Sequence, residues 1–173
     1  MSHSFSLNSD FLPDAGDYVA PWNYEFEDSF LVSGAFSRRV LTVGRWASAE
    51  LEGGVGQRFG DMHATELWGA VYFRWHAFPW NSELKTTVAI STGLNYATEI
   101  EERELRRDNA RRGAKLLHYL SPEVTFALPK VPDWEVVLRY HHRSGGAEVF
   151  GGSLFNGVGG GANHAMVGLR HRF

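Results

Sequence analysis

Cysteine is absent from the 173 residues of this chain. Its absence excludes disulfide bonds and thiolate metal sites, although it does not by itself identify a cellular compartment. Long apolar runs are also missing, since no stretch reaches the ~18 residues that a transmembrane helix needs. The formal net charge of −3 at pH 7 gives the chain no overall basic character. We therefore expect no nucleic-acid partner, because binding to a phosphate backbone depends on positive charge.

The start of the sequence lacks an export signal. Residues Met1 to Ser4 do not open a basic segment followed by an apolar segment, which is the pattern of a secretory signal peptide. If the protein is exported, we expect this sequence to be a mature form from which the signal has been removed.

What the sequence does contain indicates an all-β protein. It has 19 glycines and an aromatic share of 14%, and polar and apolar residues alternate along several segments. A length of 173 residues suits one domain with a sizeable core, so residues 1–173 are treated as a single domain. Residues 1–28 are the least clear part, and we interpret them as a short strand within Phe5–Phe11 followed by a loop.

The segment from Asp133 to Ser144 is the clearest strand. Because side chains alternate between the two faces of a strand, residues two apart lie on the same face. One face carries Trp134, Val136, Leu138, Tyr140, His142 and Ser144. The opposite face carries Asp133, Glu135, Val137, Arg139, His141 and Arg143. Similar patterns predict strands within Ser29–Arg39, Val43–Phe59, Leu67–Ala77, Thr86–Tyr96 and Leu116–Leu128, and a last strand that ends at Phe173.

The links between these strands alternate in length. Phe78–Ser82 and Pro129–Pro132 are short turns that contain proline, whereas residues 99–115 and 145–161 form long links. Bacterial outer-membrane barrels have short periplasmic turns and longer outer loops, and both long links fall outside if the C-terminus is periplasmic. We therefore predict an eight-stranded antiparallel up-and-down β-barrel in the bacterial outer membrane, with 99–115 and 145–161 as its outer loops.

A soluble, lipocalin-like barrel is the alternative, with the apolar face lining a cavity and the charged face in water. Periodicity alone does not separate the two folds, because it reports faces and not the solvent that each face meets. Charge favours the membrane barrel, since acidic and basic residues on the polar face would neutralise one another in a narrow interior. These residues are Glu50, Glu52, Glu66, Arg74, Glu123, Glu135, Arg139 and Arg143.

His142 and Ser144 form the candidate catalytic pair. They share one strand face at roughly 6–7 Å between Cβ atoms, which allows the imidazole to take the proton of the hydroxyl. A third polar group must hold the imidazole, and Asn163 lies at the outer end of the apolar face of the last strand. The backbone N–H groups of Gly145 and Gly146, which are able to adopt φ > 0, would supply an oxyanion hole.

The segment Arg139-Tyr-His-His-Arg-Ser-Gly-Gly146 resembles the outer-membrane lipid A 3-O-deacylases (PagL type). The resemblance implies an eight-stranded barrel with a serine–histidine–acid triad on its membrane-facing surface. It also implies removal of an ester-linked acyl chain from lipid A without a metal or cofactor. By this match, His142 is the general base and Ser144 is the nucleophile.

The sequence departs from this family at two positions. Gly145 stands where the family has an asparagine directly after the serine, so only backbone donors remain for an oxyanion hole. Asn163 stands where counting back from the C-terminus places the glutamate of the family's triad. Glu148, the nearest carboxylate after Ser144, is the other candidate for the third member.

Three further residues are candidates for substrate contact. His118 shares the apolar face near the outer end of its strand and would either flank the site or be an interfacial histidine. Arg111 and Arg112 belong to a charged run whose guanidinium groups suit lipid phosphates, or which forms a solvated, self-paired loop. No metal site is expected, because the adjacent His141 and His142 point to opposite faces.

Together these patterns predict an outer-membrane serine esterase that acts on lipid A or a related lipid. The expected partners are lipopolysaccharide and the membrane, and the protein would be a monomer or a homodimer. The alternatives are a non-catalytic barrel with a structural or surface-interaction role, or a soluble lipid-binding barrel.

Overall fold

The computed structural model describes residues 3–12, 29–60, 63–100, 113–145, 155, 157–158 and 161–173. The strands are β1 His3–Leu12, β2 Ser29–Val43, β3 Ala47–Gly60, β4 Thr65–Trp75, β5 Lys85–Ala97, β6 Leu116–Leu120, β7 Glu123–Ala127, β8 Trp134–Ser144 and β9 Gly161–Arg172. In these parts of the chain, no helix is long and apolar enough to span a membrane.

The strands close into a ring. Strands that are consecutive in sequence pair antiparallel, except that β6 and β7 each pair with β5 and β8 instead of with each other. Strand β1 pairs with β9 and completes the circle. Among the described strands, closure leaves no sheet edge with unpaired N–H and C=O groups, which a membrane would not tolerate. The predicted up-and-down barrel is therefore confirmed, including the first strand that the sequence only weakly indicated.

Strands β6 and β7 lie end to end between β5 and β8, so together they occupy one strand position. The nine strands therefore form a barrel of eight strand positions. Leu120 pairs with His142 and Glu123 pairs with Arg139, so the register on β8 continues unchanged across the gap. The ladder is interrupted because Pro122 has no N–H to donate. Its carbonyl still accepts a hydrogen bond from the N–H of Tyr140 at 2.9 Å.

The barrel is apolar outside and charged inside. On β9, Leu169 is 54% exposed, whereas the adjacent Arg170 is 1% exposed. The same alternation runs along β3, where Leu51 is exposed between the buried Glu50 and Glu52. A lipid-facing wall has this polarity, whereas a soluble barrel has the reverse. The lipocalin-like alternative is therefore wrong.

Glu123 is at the centre of the interior charge network. Its carboxylate accepts from Arg74, Arg139 and Arg170 at 2.7 Å each, and Arg139 also reaches Glu52 at 2.7 Å. Further interior pairs are Arg74–Glu50, Arg172–Glu135 and Arg58–Glu66. The charged face predicted from the sequence thus lies in the lumen and is largely self-paired.

The two ends of the barrel differ. At the short-turn end, residues 44–46, 76–84 and 128–133 connect the strands, and Gly44 has φ +55 where its turn requires it. At the long-link end, residues 98–115 connect β5 to β6 and residues 145–160 connect β8 to β9, close to the predicted outer loops 99–115 and 145–161. Most of these two predicted outer loops, like residues 13–28, lies outside the described residues.

A serine–histidine pair lies inside the short-turn end. The Oγ of the buried Ser48 is 2.8 Å from Nε2 of His76, which follows the last residue of β4. Burial lowers the pKa of His76 to about 4, and the positive charges of Arg39 and Arg74 contribute to the decrease. Sequence analysis missed this pair, which faces the lumen and so offers a natural comparison for the pair on β8.

Candidate active site

Strand register brings the candidate residues together at the long-link end of the outer wall. His142 on β8 pairs directly with Asn163 on β9. On the other side of β8, Ser144 pairs with His118 on β6. Side chains of directly paired residues point to the same face, with Cβ atoms about 4.5–5.5 Å apart. The four side chains therefore form one cluster on the face that carries the exposed apolar residues.

A hydrogen-bonded chain links three of these residues. The hydroxyl of Ser144 donates to Nε2 of His142 at 3.0 Å. The opposite ring nitrogen, Nδ1, donates to Oδ1 of Asn163. An imidazole with its proton on Nδ1 satisfies both contacts, which leaves Nε2 as the acceptor for the serine proton. This is the arrangement of nucleophile, base and orienting group that an activated serine needs.

Two neighbours extend this cluster along the wall. The ring of Tyr140 stacks on that of His142, with centroids 6.3 Å apart and an interplanar angle of 10°. On β5, Oγ1 of Thr92 lies 2.9 Å from Nε2 of His118. A polar strip thus crosses four adjacent strand positions within an apolar surface. It consists of Thr92, His118, Ser144, His142 and Asn163.

Gly145 directly follows β8 and lies at a point of close backbone approach. A Cβ at this position would lie 1.8 Å from the carbonyl oxygen of Val158, and Val158 is itself fully buried. The described glycines with positive φ are Gly44, Gly60 and Gly157, and Gly145 is not among them. Space, and not an unusual backbone angle, is what requires glycine next to Ser144.

Several sequence candidates cannot be placed against this cluster. Gly146, Glu148, Arg111 and Arg112 lie outside the described residues. The proposed two-glycine oxyanion hole and the lipid-phosphate contacts therefore stay predictions. Asn163, by contrast, lies within hydrogen-bonding reach of the imidazole without any loop movement.

The three-dimensional register adds residues that sequence analysis did not assign to the site. Thr92 and Tyr140 were recognised only as members of strand faces. The contact of Thr92 with His118 depends on the pairing between strands, whereas Tyr140 stacks on His142 within β8 itself. Val158 gave no sequence signal. Its backbone approach to Gly145 brings together two residues of the link between β8 and β9.

Comparison with known proteins gives likeness of fold alone. The crystal structure of the outer membrane enzyme PagL aligns with a TM-score of 0.59 and 11% sequence identity, covering 99% of both chains. The backbone structure of the Yersinia pestis outer membrane protein Ail in a phospholipid bilayer nanodisc aligns with a TM-score of 0.44, 11% identity and the same coverage. The sequence matches no protein-family model and no curated protein. The likeness to PagL confirms the predicted outer-membrane barrel architecture.

Proposed function

We propose that this barrel is a serine esterase of the bacterial outer membrane that removes an ester-linked acyl chain from lipid A or a related lipid. The observation that carries the proposal is the hydrogen-bonded chain from Ser144 through His142 to Asn163. These three residues lie on the lipid-facing wall, where the half-buried serine–histidine pair would meet the ester bonds of membrane lipids.

The geometry supports a two-step hydrolysis. In the first step, Ser144 Oγ attacks the ester carbonyl while Nε2 of His142 accepts its proton and then passes it to the departing lipid alcohol. Asn163 holds the ring through Nδ1–H, so that the lone pair of Nε2 faces the serine. In the second step, the same imidazole takes a proton from water, which attacks the acyl-serine. The imidazolium then returns the proton to Ser144 Oγ as the C–Oγ bond breaks and the fatty acid is released.

The position of the strip along the barrel supports lipid A as the substrate class. Ser144 is the last residue of β8 at the long-link end, which corresponds to the cell exterior in outer-membrane barrels. Lipid A occupies the outer leaflet and carries ester-linked chains at that depth. The fold shared with the outer membrane enzyme PagL and the motif around His142 and Ser144 support the same substrate and a place in that family.

His118 is the residue best placed to contact the bound ester beside the nucleophile. It pairs directly with Ser144, and Thr92 holds its Nε2. A carbonyl group at Ser144 would therefore lie between the imidazole of His142 on one side and that of His118 on the other. The role of His118 is to position the substrate, whereas His142 carries out the proton transfers.

Asn163 provides a test of which residue orients the imidazole. Replacing Asn163 by leucine, which keeps the approximate shape but removes the acceptor, should lower kcat about 10²-fold. Replacing it by aspartate should retain at least the original rate, because a carboxylate also stabilises the imidazolium ion. Kinetics on a soluble ester measure both variants. An unchanged rate for Asn163→Leu would exclude Asn163 and favour Glu148 as the third member.

Mass spectrometry of lipid A tests the proposed function itself. We expect incubation with the refolded protein to remove one acyl chain, whereas incubation with Ser144→Ala should leave lipid A intact. Heat-modifiable gel mobility would show that both proteins are folded barrels. If folded protein leaves lipid A unchanged but hydrolyses simple esters, the substrate assignment fails. If it hydrolyses neither, a non-catalytic barrel is the correct interpretation.

A further inference from the structure

A ladder of aromatic rings crosses the outer wall at the short-turn end of the barrel. The ring centroids of Trp134 and His171 are 4.7 Å apart, and those of His171 and Phe173 are 6.0 Å apart. The ring of His3 stacks on Phe173 at 5.9 Å and on Phe36 at 5.5 Å. The ladder therefore runs from β8 across β9 and β1 to β2, over the seam at which the barrel closes.

The backbone places an arginine beside this ladder. His3 and Phe173 exchange two hydrogen bonds, from the N–H of each residue to the carbonyl of the other, both at 3.0 Å. On its other side, His3 pairs directly with Arg38 on β2. Directly paired residues share a face, with Cβ atoms about 4.5–5.5 Å apart. Phe173, His3 and Arg38 therefore form one row on the outer wall, with Arg38 next to the stacked imidazole.

Arg38 differs from the other charged residues of the barrel in the side that it faces. It is exposed on the lipid-facing side of β2, between Phe36 and Val40, which are also exposed. Among the strand residues whose burial the structure describes, every other aspartate, glutamate, lysine and arginine is on the lumen-facing side of its strand. A charged residue on a lipid-facing surface is costly and rare, and one that is present indicates a functional contact.

The depth of Arg38 corresponds to the lipid headgroups on the short-turn side. Phe30 and Phe59 are exposed and pair directly, which marks the boundary of the apolar band at the long-link end. From Phe30 to Arg38 the distance is about 27 Å along β2 and about 20 Å along the barrel axis, given a rise of about 3.4 Å per residue and a tilt of about 40°. The apolar band of such barrels is about 25 Å tall, so the long side chain of Arg38 reaches its other boundary. Strand β2 continues past this depth to Val43, whereas β9 ends at Arg172, so the row lies at a step in the rim.

We infer that this patch binds the phosphate group of an anionic glycerophospholipid in the leaflet on the short-turn side, which is the periplasmic one in outer-membrane barrels. The patch consists of Trp134, His171, Phe173, His3, Phe36 and Arg38. The planar guanidinium of Arg38 is the main ligand, because its fork matches two phosphate oxygens. An imidazole N–H of His3 is a second donor, and the flanking rings suit the boundary between headgroup and acyl chains.

The composition of the patch favours an anionic lipid over a zwitterionic one. Its six residues include no carboxylate that would bind the ammonium group of a zwitterionic headgroup. Phosphatidylglycerol, which has a phosphate and no ammonium group, therefore fits the patch better than phosphatidylcholine. The inference does not depend on the proposed esterase function, since none of these residues belongs to the cluster around Ser144.

Lipid titration followed by native mass spectrometry tests this inference. The refolded protein in detergent would be titrated with phosphatidylglycerol and, separately, with phosphatidylcholine. Both lipids would carry ether-linked hexadecyl chains, so that no ester bond is available for hydrolysis. Arg38→Gln removes the guanidinium, and His3→Phe keeps a stacked ring but removes the imidazole nitrogens. Arg45→Gln is the matched control, because Arg45 is an exposed arginine in the turn between β2 and β3.

The ratio of the two dissociation constants for the first bound lipid is the readout. Wild-type protein and Arg45→Gln should bind phosphatidylglycerol at least about tenfold more tightly than phosphatidylcholine. Arg38→Gln should bring the two constants to within about twofold, because the charge-assisted contact is lost, and His3→Phe should lower the preference about threefold.

Three results would overturn the inference. The first is the absence of a preference in the wild-type protein, and the second is an equal loss of preference in Arg45→Gln, which would assign it to general charge. The third is an unchanged preference in Arg38→Gln that shows the heat-modifiable mobility of a folded barrel. If Arg38→Gln does not fold, an unchanged preference in folded His3→Phe would overturn the inference in its place.

Discussion

Replacing Ser144 by alanine is expected to lower ester hydrolysis by about 10⁴-fold or more. The reason is that the serine hydroxyl is hydrogen-bonded to Nε2 of His142, and without it the imidazole has no nucleophile to activate. His142→Ala should produce a loss of similar size, and the double variant should be no slower than either single one. Steady-state kinetics on p-nitrophenyl butyrate measure all three.

Ser48 supplies the matched control for this experiment. Its hydroxyl also contacts a histidine, His76, at 2.8 Å, but the pair faces the lumen and Ser48 is buried. Ser48→Ala should therefore keep the wild-type rate. A folded Ser144→Ala variant that retained most of the activity would remove Ser144 from the mechanism, whatever the reaction turned out to be.

Replacing Glu123 by glutamine should lower the free energy of unfolding by about 3–5 kcal/mol. Glu123 is fully buried and accepts from three arginines, Arg74, Arg139 and Arg170. A neutral amide leaves these buried cations with too little negative charge, and Glu52 and Glu50 already have arginine partners of their own. Urea titration of the refolded barrel, followed by tryptophan fluorescence, would measure the change.

Glu83 is the control for the loss of one carboxylate. It lies in the exposed turn between β4 and β5, so Glu83→Gln should change the free energy of unfolding by less than about 0.5 kcal/mol. If Glu123→Gln and the wild-type protein had similar free energies of unfolding, the charge network in the lumen would not be what holds the strands together.

The fold was largely predictable because lipid and lumen impose opposite polarities on alternate residues. Trp134 to Ser144 alternate so regularly that both faces of β8 were assigned correctly. Strand bounds were less accurate where regularity fails. The strand predicted to end at Arg39 continues to Val43. The prediction stopped short because the register shifts between Arg39 and Leu41. A bulge of this kind disrupts the period of two on which the prediction depended.

The site was predictable only in part, since distance along a strand is visible in a sequence and register between strands is not. His142 and Ser144 could be paired from their spacing alone. Asn163 could be suggested from face and position, but its contact with Nδ1 depends on the pairing of β8 with β9. Thr92 lies 26 residues from His118 in the chain, and nothing in the sequence connects them.

Covalent labelling of Ser144 tests the central claim most directly, that this serine is an activated nucleophile on the membrane-facing wall. The folded protein in detergent would be treated with a fluorophosphonate, and the modified peptide would be identified by mass spectrometry. We expect a single adduct at Ser144 that disappears in His142→Ala, with Ser48 unmodified. A folded barrel that takes up no label at Ser144, or labels equally without His142, would contradict the account.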